Sequence, residues 1–267
     1  MKRSMRDVVE ERDRMMRSRR RALLSICSAL GAFGISAPLR AASEASEVSG
    51  KPPLQFVTHM PQSRKKGSPI LFLMHGFGSD EQDVISMAPS LPPELIVVSF
   101  RAPFSNPSGG YKWFDNHDGH GHLDGDGSQI ASSRQLLESA IATLVSHFEA
   151  DPKRIFVGGF SQGAIMTYAL TLAKPDRYRG GVVMSGAILD ALNRRLDPKL
   201  TRTNLHLFVG HGTADQRIPF AYADMAAMQL RQWHVDLTFK SYPGMTHEVG
   251  AQELADVSAW ISGRFRP

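Results

Sequence analysis

Short apolar segments alternate with longer amphipathic segments along the chain from residue 54 onward. Several of the apolar segments contain almost no polar position and are bounded by Gly or Pro, which is typical of strands covered on both faces. The predicted strands are Leu54–Met60, Pro69–Met74, Leu95–Phe100, Arg154–Gly158, Gly181–Met184, Leu205–Val209 and Val235–Tyr242.

The amphipathic segments repeat apolar residues at helical spacing, most clearly between residues 130 and 148. The predicted helices are Ile130–Phe148, Gln162–Ala173, Phe220–Trp233 and Glu248–Ile261. Strands and helices that alternate in this way predict an α/β domain with a mostly parallel sheet. The segment Ala102–Ser128 follows neither pattern and is predicted to be a long loop, which is more often functional than neutral.

The net charge of +5 is concentrated at the N-terminus. Residues 1–45 hold ten of the 31 basic residues and five of the 26 acidic ones, so 46–267 is formally neutral. A nucleic-acid-binding protein needs a basic body or face, and no nucleic-acid partner is therefore expected. The single cysteine, Cys27, also lies in this first segment, which excludes a disulfide or a cysteine nucleophile in the body.

The N-terminal segment has the pattern of an export signal. Arg20-Arg21-Ala22-Leu23-Leu24 resembles a twin-arginine motif, and an uncharged run continues to Leu39 before small residues suited to cleavage after Ala41 or Ala45. We predict that 1–45 is a signal with a flexible lead, that 46–267 is the catalytic domain, and that the protein is periplasmic or secreted. Membrane contact is then expected only through an uncleaved signal.

Three other interpretations of this segment remain open. The uncharged run could be a membrane anchor of borderline length. Cys27 could carry a lipid, although Ile26 is bulky for that motif. Translation could also begin at Met15 or Met16.

Gly159-Phe160-Ser161-Gln162-Gly163 has the G-x-S-x-G pattern between a predicted strand and a predicted helix. This is the context of a nucleophile elbow, in which a strained turn projects the Ser hydroxyl from the sheet. Glycine on both sides leaves room for that turn. Ser161 is therefore the candidate nucleophile.

A serine hydroxyl needs a base, and the base needs an orienting acid. In this type of fold the order along the chain is Ser, acid, His, each after a strand. Asp215 follows the strand that ends at Val209, and His247 follows the last strand. Asp190 is the alternative acid. Two other residues near the candidate base are given structural positions instead: His234 lies at a predicted helix end, and Glu248 starts the predicted last helix.

Met74-His75-Gly76-Phe77-Gly78 forms an H-G-x-G turn after a strand. A tetrahedral acyl intermediate needs donors for its oxyanion, and the backbone N–H groups of Phe77 and Gln162 are the predicted pair. The Phe77 side chain is free to shape the pocket. His75 is expected to hold the turn rather than to act as a base.

Together these motifs resemble the phospholipase/carboxylesterase family of α/β-hydrolases, which includes the acyl-protein thioesterases. The matching stretches include Arg101-Ala102-Pro103, Tyr111-Lys112-Trp113-Phe114-Asp115, Gly210-His211-Gly212-Thr213-Ala214-Asp215 and Met245-Thr246-His247-Glu248. The resemblance implies an α/β-hydrolase fold without a large cap domain and a triad of Ser161, Asp215 and His247. It also implies Trp113 and Phe114 near the acyl site, and hydrolysis of esters or thioesters without a cofactor.

The sequence departs from this family in two places. An export signal is unlike the cytosolic thioesterases, so deacylation of cytosolic proteins is not expected. The segment 115–127 is rich in His and Asp, but its spacing matches neither zinc nor EF-hand patterns. It is predicted to be a solvated loop at the rim of the active site, with no metal.

These features predict a serine carboxylesterase that acts on a small-molecule ester with a small to medium acyl group. Two alternatives remain open: an acyltransferase that uses the same acyl-enzyme, and a binding module that kept the fold without catalysis. Fold alone does not decide among them.

Overall fold

The computed structural model describes residues 50–119, 122–197 and 204–265. The predicted division at residue 45 lies outside this range and stays a prediction. The strands are β1 (Phe56–His59), β2 (Ile70–Met74), β3 (Ile96–Phe100), β4 (Phe104–Ser105), β5 (Tyr111–Lys112), β6 (Asn116–Gly119), β7 (His122–Gly125), β8 (Ile155–Phe160), β9 (Gly180–Met184), β10 (His206–Gly212) and β11 (Asp236–Tyr242).

Seven of these strands form the central sheet of the described part, in the order β1-β3-β2-β8-β9-β10-β11. β1 is antiparallel to β3, and the other neighbours are parallel. Parallel strands align their carboxyl ends along one edge, so the loops after β2, β8, β10 and β11 gather there. The predicted mostly parallel α/β fold is therefore confirmed.

Helices cover both faces of this sheet. They are α1 (Glu81–Ile85), α2 (Gly127–His147), α3 (Gln162–Ala173), α4 (Asp190–Asn193), α5 (Phe220–Gln232) and α6 (Ala251–Ser262). Alternate residues of β2 explain the two layers: Phe72 packs in the cluster with α2, α3 and α5, whereas Leu71 packs in the cluster with α1 and α6. All five residues of β2 are buried, as expected for a strand covered on both sides.

Helix ends follow capping chemistry that apolar spacing does not reveal. α2 begins at Gly127, before the predicted Ile130, because the Asp126 carboxylate accepts hydrogen bonds from the Ser128 and Gln129 amides. The last helix begins at Ala251 rather than at the predicted Glu248. Glu248 instead accepts a hydrogen bond from the Thr246 hydroxyl in the preceding turn.

The segment Ala102–Ser128 is not the unpatterned loop that was predicted. It contains two hairpins, β4–β5 and β6–β7. The second is anchored to the domain, since the Leu123 amide donates to the Tyr222 hydroxyl and the Asp124 carboxylate accepts from the Ala191 amide. Gly and Asp are depleted in strands, which is why the sequence pattern missed this hairpin.

Glu253 of α6 is a buried acid with no exposed surface. It packs against Gly210 of β10, where an added Cβ would overlap the Glu253 Oε1 atom. Neither carboxylate oxygen has a hydrogen bond to the described residues. Burial raises the pKa of Glu253 to about 8, against a smaller opposite effect of the nearby Gly250 amide. The protonated form is therefore favoured at neutral pH.

Glu253→Gln is expected to flatten the dependence of stability on pH. Because the folded state keeps its proton up to about pH 8 and the unfolded state releases it earlier, wild-type stability falls between the two pKa values. The free energy of unfolding of the wild type is expected to fall by on the order of 4 kcal/mol between pH 5 and 9 through this group, and the substitution removes that fall. Urea denaturation across this range measures it, with Glu94→Gln, an exposed acid, as the control. Parallel pH profiles for wild type and Glu253→Gln would contradict the expectation.

Candidate active site

Ser161 occupies the sharp turn between β8 and α3, with φ 57° and ψ −118°. A positive φ is unfavourable for a residue with a side chain, and such strain is typical of a nucleophile elbow. The turn is held because the Ser161 amide donates to the Met184 carbonyl at 3.0 Å. The predicted nucleophile thus lies at the carboxyl edge of the sheet, at the N-terminus of a helix.

The flanking glycines are required by close backbone packing. A Cβ on Gly163 would overlap the Met74 carbonyl oxygen, and one on Gly159 would overlap the Gly163 backbone. Both positions have negative φ, so the requirement is space and not backbone conformation. The end of β2 can therefore lie directly against the turn that carries Ser161.

His247 lies between the other two predicted triad residues. Its Nε2 atom is 2.9 Å from Ser161 Oγ, and its Nδ1 atom is 2.7 Å from Asp215 Oδ2. Asp215 is a carboxylate acceptor, so Nδ1 carries the proton and Nε2 accepts from the serine hydroxyl. This is the geometry in which a histidine takes up a proton from serine.

The Asp215 carboxylate is buried and fixed by its own loop. Its Oδ1 atom accepts hydrogen bonds from the Arg217 amide at 2.8 Å and from the Ile218 amide at 3.0 Å. Oδ2 is left to face His247. Asp190, the alternative acid, begins α4 and is exposed, and the carboxylate bonded to His247 is that of Asp215.

The turn Gly76-Phe77-Gly78 lies beside Ser161. A Cβ on Gly76 would be 3.3 Å from Ser161 Cβ. The Phe77 amide has no hydrogen-bond partner among the described residues, and the Gln162 amide, first in α3, has none within its helix. Gly76 thus packs against Ser161, and the two predicted oxyanion donors belong to Phe77, which follows Gly76, and to Gln162, which follows Ser161. The Phe77 side chain is 41% exposed.

His75 holds this turn from inside the core. It is fully buried, its Nδ1 donates to the Gly76 carbonyl at 2.7 Å, and its Nε2 accepts from the Ala102 amide at 3.1 Å. Burial lowers the pKa of His75, in keeping with a neutral ring that uses both nitrogens in structure.

The side chain of Gln162 joins the elbow to residues 113–116. Its Oε1 accepts from the Trp113 amide at 3.0 Å, and its Nε2 donates to the Phe114 carbonyl and to Asn116 Oδ1, each at 2.8 Å. From the motif alone, only the Gln162 backbone has a predicted role. A glutamine next to the candidate nucleophile was the available signal for this clamp.

Trp113 and Phe114 lie in the core and have no exposed surface. The Trp113 indole N–H donates to the His75 carbonyl at 2.9 Å, so this side chain supports the turn that follows β2. The predicted role of both residues in a substrate pocket stays a prediction.

An ion pair that sequence reasoning missed fixes the other side of the turn. Arg101 makes a two-pronged contact with the buried Glu81 carboxylate, and its guanidinium lies 4.6 Å from the centre of the Tyr111 ring. The Arg101 contact lowers the pKa of Glu81 against its burial. The Tyr111 carbonyl in turn accepts a hydrogen bond from the Gly78 amide at 2.8 Å.

The His- and Asp-rich segment 115–127 contains the whole β6–β7 hairpin. In the described part of the chain, no three His, Cys, Asp or Glu side chains gather where they could hold a metal ion. Residues 120 and 121, at the turn of the hairpin, lie outside that part. The segment is anchored through Leu123 and Asp124 and is not wholly a solvated loop.

Comparison with known proteins identifies the class. A profile of the phospholipase/carboxylesterase family matches residues 57–264. The chain belongs to this family, which confirms the resemblance noted from its motifs. It is therefore an enzyme of the serine-hydrolase class that acts on ester or thioester bonds.

Individual relatives agree. The chain is 29% identical over 216 residues to acyl-protein thioesterase 1 of Debaryomyces hansenii, covering 74% of this chain and 91% of that one. It is 30% identical over 172 residues to acyl-protein thioesterase 1 of Candida albicans, covering 62% and 72%. The crystal structure of the Bacillus cereus carboxylesterase superposes with a TM-score of 0.69 at 19% identity, covering 79% and 95%. That likeness confirms the α/β-hydrolase fold.

The predicted periplasmic or secreted location is wrong. The yeast relatives are acyl-protein thioesterases, the members of the family that an export signal does not fit. Two arginines before apolar residues arise readily in an arginine-rich segment, and Gly, Ser and Ala dilute the uncharged run that follows. The segment itself lies outside the described residues. Within them, no helix is both long and apolar enough to cross a membrane.

Proposed function

We propose that Ser161, His247 and Asp215 hydrolyse a carboxylic ester or thioester through a covalent acyl-enzyme. The observation that carries the proposal is the position of the His247 ring, with one nitrogen 2.9 Å from Ser161 Oγ and the other 2.7 Å from Asp215 Oδ2. A serine hydroxyl becomes a useful nucleophile only when a base of this kind accepts its proton.

In the acylation step, Ser161 Oγ attacks the substrate carbonyl while its proton passes to His247 Nε2. Asp215 accepts the Nδ1–H bond and stabilises the imidazolium that forms. The C–O or C–S bond to the leaving group then breaks, and His247 returns the proton to the departing oxygen or sulfur. The product is an ester between the acyl group and Ser161.

The tetrahedral intermediate carries its negative charge on the former carbonyl oxygen. The Phe77 and Gln162 amides are the proposed donors to this oxygen, because Phe77 follows the Gly76 that packs against Ser161 and has an unpartnered amide among the described residues, and because Gln162 directly follows Ser161. Donors that are already fixed before reaction stabilise the charge without reorganisation. The Gln162 side-chain clamp and the Arg101–Glu81 pair hold the two segments that supply them.

Deacylation repeats these steps with water as the nucleophile. His247 takes a proton from water, which attacks the acyl-enzyme, and then returns that proton to Ser161 Oγ. Near the reacting atoms, the Phe160 ring lies 4.8 Å from the His247 ring, and Phe77 is exposed. These two aromatic side chains favour an apolar acyl group over a charged one.

Partition of the acyl group between water and methanol tests the acyl-enzyme. With a shared intermediate, the ratio of methyl ester to acid is expected to be the same for p-nitrophenyl butyrate, phenyl butyrate and butyryl thiocholine, because each gives the same acyl-Ser161. Product ratios are measured by gas chromatography at fixed methanol concentration. A ratio that changes with the leaving group would contradict the proposal.

The same experiment separates the alternatives. Methyl ester that exceeds acid at low methanol concentration would identify an acyltransferase. The absence of turnover with all three substrates would favour a binding module. Acid as the main product in water, with a constant ratio on addition of methanol, is the result expected of a hydrolase.

A further inference from the structure

His211 is a buried histidine beside the catalytic centre that the proposed reaction does not use. It is the penultimate residue of β10, its side chain has no exposed surface, and its ring contacts the Phe220 ring edge-on at 6.0 Å. Burying a histidine side chain costs free energy unless its polar atoms are hydrogen-bonded.

Its ring closes the loop that carries Asp215. His211 Nε2 lies 2.8 Å from the Ile218 carbonyl oxygen, which only accepts, so Nε2 carries the proton. The same nitrogen is 3.4 Å from Asp215 Oδ2. The Ile218 amide in turn donates to Asp215 Oδ1 at 3.0 Å. One residue, Ile218, is thus bonded through its carbonyl to His211 and through its amide to Asp215.

The ring is suited to this task because it stays neutral. Burial lowers the pKa of His211, and the nearby His247 lowers it further, although the Ile218 carbonyl and Asp215 oppose this. The other nitrogen, Nδ1, has no hydrogen-bond partner among the described residues, which leaves the Nε2–H tautomer free to form. His211 therefore presents one fixed N–H donor to the loop.

We propose that His211 is a positioning residue for the reaction: by holding Ile218 it fixes the loop from Gly212 to Ile218 and keeps Asp215 Oδ2 aligned with His247. The inference rests on the proposed function of the Ser161 site. His211 acts through Asp215 and does not itself touch the reacting atoms.

Loss of the donor has a specific kinetic consequence. A displaced Asp215 supports the His247 imidazolium poorly, whereas the ground-state contacts of the substrate are unaffected. In His211→Phe, kcat is expected to fall about 10- to 100-fold, with KM within about threefold since uniform binding is retained. The acid limb of the kcat/KM profile is expected to move to lower pH, because the imidazolium is less stabilised.

The test compares three variants, each corrected for active sites by titration with a fluorophosphonate. His211→Phe keeps the ring without a donor. His211→Gln restores an amide N–H near the position of Nε2 and is expected to recover most of kcat and the wild-type acid limb. His206→Phe, at the other end of β10 and bonded to Asp236, is the control and is expected to behave as wild type.

Normal kcat per titrated site in His211→Phe would overturn the inference, as would a loss that leaves the acid limb in place, which is the mark of a merely structural role. If His211→Phe does not fold, the comparison is made between His211→Gln and His211→Asn, because the shorter amide of Asn does not reach Ile218. Equal kcat values and equal acid limbs in these two variants would also overturn the inference. An active Ser161→Ala enzyme would instead overturn the proposed function.

Discussion

Ser161→Ala is expected to reduce kcat for p-nitrophenyl butyrate by about 10⁶-fold, the scale seen when a serine hydrolase loses its nucleophile. The substitution removes the one oxygen that lies 2.9 Å from His247 Nε2. Without it, water must attack the substrate directly, and only the oxyanion donors and substrate binding still assist. Steady-state hydrolysis, with circular dichroism to verify the fold, measures this loss.

Ser185→Ala is the matched control. Ser185 also follows a strand of the sheet and has a positive φ of 53°, and its buried hydroxyl has no hydrogen bond within the described part of the chain. Alanine at this position removes a hydroxyl from a similarly strained turn without touching the triad. We expect activity close to that of wild type. Equal losses in both variants would mean that the effect comes from the backbone rather than from the nucleophile.

Asp215→Asn has the second largest expected effect, a fall in kcat of about 10⁴-fold. The asparagine oxygen still accepts the Arg217 and Ile218 amides that now bond to Oδ1, so the loop keeps its shape. The amide NH₂ then faces His247 Nδ1 and forces the proton onto Nε2. In that tautomer His247 donates toward Ser161 and has no lone pair to accept its proton.

Asp190→Asn provides the comparison for this second prediction, since it is the other acid that the sequence left open. Its kcat is expected to stay near the wild-type value. Measured under the same conditions with the same ester, an active Asp215→Asn enzyme together with an inactive Asp190→Asn enzyme would reverse the assignment of the acid.

The edge of the sheet that carries Ser161 was predictable because its signals are local. The strand before Ser161, the glycines around it and the helix from Gln162 to Ala173 all follow from a few adjacent residues. The observed helix has the predicted bounds, and β2 begins one residue after the predicted start. Continuous apolar runs define buried strands well, since burial on both faces leaves little choice of residue.

The features that failed prediction depend on contacts between distant segments. The β6–β7 hairpin is built from residues with low strand propensity and is held by Tyr222 and Ala191, which lie far along the chain. The Arg101–Glu81 pair spans 20 residues, and the Gln162 clamp spans 46 to 49. No spacing rule connects such partners, and only the folded chain brings them together.

The N-terminal segment shows the limit of a short local motif. The +5 of the whole chain lies in residues 1–45, and in so arginine-rich a segment two arginines before apolar residues do not define an export signal. The formally neutral body contains the motifs that predicted the family. The profile match over residues 57–264 confirms that prediction.

Peptide mapping after fluorophosphonate labelling tests the central claim most directly. The reagent forms a covalent phosphonate with an activated serine, and mass spectrometry locates it. We expect one label per chain, on Ser161, that is absent from Ser161→Ala and strongly slowed in His247→Ala. A label on any other serine, or undiminished labelling of Ser161→Ala, would contradict the assignment of Ser161 as the nucleophile.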